Sequence, residues 1–169
     1  MKIYLKDILF IIAFMFIVST IYILINNDEK KDYSNVKIVD NSTQYYDVVG
    51  ILNKFVHYSN ESNKESIIKL LDGNFVSQKR INTSNIFKYV NKYSDSNISF
   101  VGEKMYYEKI SKNINKFYVY GMIEKNSMDS YETVSDYYII VLVDYKNSSF
   151  AIVPDNGKTF KEVEQWILN

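Results

Sequence analysis

Three regimes of hydrophobic patterning follow one another along the chain. The first is an unbroken apolar run: the 18 residues from Ile8 to Ile25 hold no charge, no Gly and no Pro. As a helix rising ~1.5 Å per residue it covers roughly 27 Å, close to the ~30 Å hydrocarbon core of a bilayer. Ser19 and Thr20 are tolerated there because their hydroxyls can bond back to helix carbonyls. The second regime has helical spacing. Tyr45, Val48, Val49, Leu52, Phe55 and Val56 share one face, with Ser42 and Thr43 as N-cap candidates and Gly50 as a point of close packing. Ser62 to Glu65 has capping-box spacing, followed by Ile67, Ile68, Leu70 and Leu71, with Gly73 as the expected stop. A third short helix is expected from Asn82–Ser84, carrying Ile86, Phe87, Val90 and Tyr93.

From Asn97 the period becomes two. Strands are predicted over Ile98–Tyr107, Lys116–Glu124, Val134–Tyr145 and Ser149–Val153, the last stopped by Pro154. Tyr137 to Val143 is apolar on both faces, which marks a central strand covered twice. Links at 112–115 and 145–148 suit antiparallel hairpins, and 125–132 reads as a longer polar loop. Phe160, Val163, Trp166 and Ile167 recur at helical spacing in a last helix. The fold class is therefore α+β: an N-terminal transmembrane helix, then three helices packed on a curved antiparallel sheet of about four strands, with a further helix at the end. The helices cover one sheet face, and the other needs a covering from a second copy or a partner.

For the apolar run, three readings compete: a cleaved signal peptide, a buried core helix and a permanent anchor. A signal peptide carries a shorter apolar stretch, and here five apolar residues still follow the small-residue candidate Val18-Ser19-Thr20. A core helix would show polar punctuation. The anchor is the preferred reading. The expected organisation is a cytoplasmic tail over 1–7, a transmembrane anchor over 8–26, a juxtamembrane stalk over 27–42 and an extracytoplasmic domain over 43–169. The lipid bilayer is thus the first expected partner, through residues 8–25. Flanking charge is nearly balanced: Lys2 and Lys6 stand before the run, and Lys30 and Lys31 stand after it among acidic residues. The small basic leader favours the large domain outside.

Composition narrows the function classes. Lys+Arg and Asp+Glu both number 20, so the zero net charge argues against a nucleic-acid binder. Abundant Lys, Asn, Ile and Tyr with a single Arg (Arg80) follow AT-rich codons and point to a low-GC, Gram-positive bacterium. No Cys is present, which excludes a lipoprotein anchor. Five Asn-x-Ser/Thr matches follow from the abundance of Asn and Ser and carry no glycosylation argument.

Anchor, stalk, three amphipathic helices and four antiparallel strands, ending in Ser149-Phe150-Ala151-Ile152-Val153-Pro154, together resemble the nuclear-transport-factor-2-like cone fold in its membrane-anchored bacterial form. The best-known example is the bitopic assembly subunit of type IV secretion and conjugation systems. The resemblance is one of element order and covers about Gln44 to Pro154. It implies dimerisation through the sheet and a scaffold role; the same fold also hosts enzymes.

Candidate chemistry is sparse. His57 is the only His and there is no Cys, so no metal or other cofactor is expected. Ser-His-Asp catalysis lacks its nucleophile elbow, and no phosphate-binding Gly motif occurs. No catalytic residue is assigned. Tyr106, Tyr118, Tyr120, Met122 and Tyr138 form a candidate interface or pocket on one strand face, with Asp136 or Asp144 as a nearby carboxylate. The expected function is a single-pass extracytoplasmic scaffold or protein-interaction module, possessing a homo-oligomeric or envelope-protein partner and set in a conjugation or secretion machine. The alternative is a ligand-binding or enzymatic cone domain with a tyrosine-lined pocket.

Overall fold

Asn41 opens the first helix: its side-chain oxygen accepts from the backbone N–H groups of Thr43 and Gln44. These donors have no partner within the helix, so an Asn one residue before it is a better cap than the expected Ser42 or Thr43. The computed structural model describes residues 31–93, 97–126 and 131–169. The predicted tail and anchor, 1–26, lie outside the described residues, as does much of the predicted 125–132 loop. Among the described residues no helix is long and apolar enough to cross a membrane.

Helix α1 (Ser42–Asn60) buries Val48, Leu52, Phe55 and Val56, as the spacing predicts. Gly50 faces open space and marks no close packing. Helix α2 (Lys64–Leu70) is capped by Asn63, whose side chain accepts from Ser66 N–H. Ser62, the expected cap, instead turns the chain at φ 56°. Gly73 does not stop a helix but begins α3 (Gly73–Lys79), because Asp72 beside it caps Phe75 N–H at 2.9 Å. The helix expected from Asn82 shrinks to one 3₁₀ turn, Ile86–Lys88. There Asn82 accepts from Ser84 N–H, and Asn85 accepts from Asn82 N–H and donates to Arg80 C=O. These side chains offer the backbone an alternative to the helical ladder.

The sheet is a five-stranded antiparallel meander, β1 (Lys37–Ile38), β2 (Ile98–Lys109), β3 (Ile114–Asn126), β4 (Tyr131–Asp144) and β5 (Ser149–Pro154), in chain order across its width. The four long strands match the period-two reading, each longer than or within a few residues of the predicted span. The two-residue β1 was not predicted. It pairs with Tyr106 and Tyr107, and just before it Tyr33 and Val36 are buried. The compact unit therefore runs Tyr33–Asn169, so ten residues assigned to the stalk belong to the domain.

Both sheet edges take hydrogen bonds from outside the sheet. Beyond β1, the outer side of β2 is served by α1: Asn53 accepts from Phe100 N–H at 2.8 Å and donates to Phe100 C=O at 3.2 Å, and Tyr45 O–H donates to Gly102 C=O at 2.7 Å. At the other edge, Asp72 N–H bonds Ile152 C=O, and Leu71 bridges Ile152 in parallel. Satisfied edges remove templates for pairing with other chains.

One face of the sheet packs on α1 and α2 through Phe100, Met105, Phe117, Val119, Ile123, Ile139, Val141 and Ile152. Gly121 lies on this face under the Phe100 ring; a Cβ there would collide with that ring and with Val101 C=O. Helix α4 (Lys158–Leu168) crosses the opposite face with Phe160 and Val163 buried. The second covering of the central strand is thus supplied in part by the chain itself. The turn into α4 depends on Gly157, at φ 86° and against the Tyr138 ring.

Candidate functional site: the tyrosine face

Alternation along β2, β3 and β4 sends Tyr106, Tyr118, Tyr120, Met122 and Tyr138 to the face opposite α1. Register then pairs Tyr106 with Tyr118 and Tyr120 with Tyr138. The four tyrosines meet in one cluster, and Phe160 of α4 enters among them. Its ring centroid lies 5.4 Å from Tyr106, 5.9 Å from Tyr120 and 5.7 Å from Tyr138. Tyr120 and Tyr138 stack at 4.9 Å. Tyr33, from the segment preceding β1, meets Tyr118 edge-on at 6.1 Å and Trp166 at 6.4 Å. Such offset and edge contacts are the arrangements that aromatic quadrupoles favour. Met122 lies apart, toward the β3–β4 end, with its sulfur 3.9 Å from the Thr133 hydroxyl.

Four of the hydroxyls reach carboxylates at the rim. Tyr118 donates to Glu108 at 2.5 Å, Tyr33 to Glu162 at 3.0 Å, Tyr120 to Asp136 at 3.2 Å and Tyr106 to Glu164 at 3.5 Å. Lys116 bridges to Glu108 at 3.2 Å and lies over the Tyr118 ring; Lys104 holds Glu164 at 2.6 Å. Burial, and after it the bonded carboxylate, pushes the Tyr118 and Tyr33 hydroxyls well above the usual tyrosine range. Tyr106 shifts upward chiefly through burial. A hydroxyl held protonated against a carboxylate is a donor, not a base.

Of the two carboxylates expected nearby, Asp136 meets the cluster. Asp144 does not: it accepts from the Asn147 side-chain amide first, then from Asn147 N–H and Lys146 N–H in the β4–β5 turn, which hold its carboxyl below the usual range. The carboxylates Glu108, Glu162 and Glu164, and the ring of Phe160, were not foreseen. Glu108 stands two residues after Tyr106 on the same strand face, which is the signal that could have found it. The α4 residues had none, because their docking depends on where the helix lands.

His57 lies on the exposed side of α1, its Nε2 3.2 Å from Glu61, and α1 is on the other side of the sheet from the tyrosines. Among the described residues no group of three or more His, Asp or Glu converges as a metal site. An open cleft of about 230 Å³ lies beside the cluster, lined by Asp136, Tyr138 and Asp155 among others. Beyond α4 the same face carries a shallow apolar depression of about 190 Å³, formed by Ile114, Leu142, Ala151 and neighbours. No protein-family model matches the chain, and no curated protein or solved structure matches it significantly.

Proposed function

We propose that the chain is a single-pass membrane protein whose α+β domain lies outside the cytoplasm and works as a non-catalytic scaffold or protein-interaction module. The supporting observation is Phe160. It occupies the space among Tyr106, Tyr120 and Tyr138 where the expected tyrosine-lined pocket would hold a ligand, while Tyr33, Tyr106, Tyr118 and Tyr120 spend their hydroxyls on the chain's own carboxylates. Besides the cleft at Asp136 and Tyr138, this face leaves open the apolar strip of Ile114, Leu142 and Ala151, where a second copy or an envelope protein would dock. The ligand-binding or enzymatic alternative has less support, since Phe160 fills the space among the tyrosines and the cleft at Asp136 and Tyr138 lies beside it. A conjugation or secretion machine is the setting that the order of elements suggests.

A photo-reactive residue at Leu142 of the full chain, irradiated in intact membranes, should give one discrete protein adduct. The same residue at Lys54, on α1, should give none. Equal labelling at both positions, or none at Leu142, overturns the module reading. Protease digestion of intact cells tests the topology: a shielded domain would place it inside.

A further inference from the structure

The last turn of α4 exposes two large apolar side chains. Trp166 is 52% and Leu168 is 76% exposed, on opposite flanks of the stripe formed by Phe160 and Val163, so that they surround the helix end. A single exposed apolar side chain needs no explanation. Trp166 differs in its neighbour. Its ring lies 6.4 Å from that of Tyr33, the residue at which the compact unit begins. Tyr33 is fixed there by its bond to Glu162 and its contact with Tyr118. Only Asn26 to Asp32 separate Tyr33 from the end of the apolar run at Ile25. Even fully extended, that connection reaches roughly 25–30 Å. Tyr33 and Trp166 together are therefore leashed to the end of the run.

We propose that the Trp166–Leu168 end of α4 rests on the lipid surface, with the indole in the headgroup region. This rests on the reading of residues 8–25 as an anchor. Trp suits the place chemically: its ring is apolar and its N–H seeks water or headgroup oxygens, which is why Trp collects at membrane–water boundaries. Leu168 adds apolar area at the same end. The contact would fix the domain's tilt on the bilayer, and would turn the strip of Ile114, Leu142 and Ala151 toward one consistent direction for partners.

Trp166 is the only Trp in the chain, so its fluorescence reports this site alone. The full chain is reconstituted in phosphatidylcholine–phosphatidylglycerol vesicles, plain or with lipids brominated near the headgroup end of the acyl chains. The indole should lose emission to bromine, as an interfacial ring would, and should be poorly quenched by aqueous acrylamide. Leu168→Asp should weaken the bromine quenching while leaving the chain in the vesicles. Full acrylamide access without bromine quenching, in a chain that survives an alkaline wash of the vesicles, overturns the lipid contact and leaves the anchor standing. Release of the chain by that wash overturns the anchor and the lipid contact with it.

Discussion

The two faces of the sheet are built on different principles. Under α1 and α2 the core is aliphatic and phenyl: Val48, Leu52, Phe55, Phe117, Val119, Ile139 and Ile152 are all at or below 1% exposure. Its stability comes from area removed from water and from close packing. Under α4 the core is small and amphipathic, with Tyr33, Val36, Tyr106, Tyr118, Phe160 and Val163, and every buried hydroxyl in it must find an acceptor at the rim. The first face buries two ionisable groups as well, Tyr93 and Tyr137, which burial pushes above the usual tyrosine range, but its bulk is hydrocarbon. The second is tied to charge, and so to pH and salt. A dry core defines the fold; the mixed one attaches α4 and the segment around Tyr33 to it.

The largest expected effect separates the two directly. Phe55→Ala should cost about 3–5 kcal/mol of global stability, read from urea unfolding. Phe160→Ala removes a ring of the same size, yet its damage should stay local: hydrogen exchange in 158–168 should rise sharply while α1 keeps its protection. Equal loss of protection in α1 would show one cooperative core and break the contrast. Next is Gly121→Ala. The new methyl has the Phe100 ring and Val101 C=O in its way, and overpacking of this kind should cost about 1–3 kcal/mol.

The strands were legible because alternation is a property of neighbouring residues, and it placed four tyrosines on one face without any knowledge of the fold. Helix α1 was legible for the same reason at period 3.6. What escaped depends on distant partners. Lys37–Ile38 is too short to show a period and becomes a strand only because β2 offers Tyr106 and Tyr107. Gly73 reads as a stop until Asp72 is seen capping the next turn. The site was half visible: the tyrosines and Asp136 were, while Phe160, Glu162 and Glu164 reach the cluster through a helix whose docking no local pattern encodes.

The pH dependence draws on both faces, since burial raises Tyr137 and Tyr93 in the first core too, and Tyr118 is the handle that isolates the second. The Tyr118 and Tyr33 hydroxyls titrate higher in the folded chain than the ~10 of an unfolded tyrosine. The unfolded chain therefore loses these protons first, and stability should fall as pH rises past about 10. Thermal unfolding at pH 8 and pH 11 checks the sign. Tyr118→Phe should cost about 0.5–1.5 kcal/mol at pH 8, the worth of one hydrogen bond, and should flatten the alkaline loss. An unchanged alkaline slope would remove Tyr118 from that account. Smallest is the Lys104–Glu164 pair on the rim. Its coupling in a double-mutant cycle should be below about 1 kcal/mol and should fade in high salt.

Asn53 has a consequence of another kind. By answering both the N–H and the C=O of Phe100 it imitates, with one side chain, the next strand of the sheet. Where copies of a chain crowd together, each meeting is a trial of edge against edge. An open β2 would turn crowding into stacking. With Asn53 in place such a meeting finds the Phe100 N–H and C=O already taken.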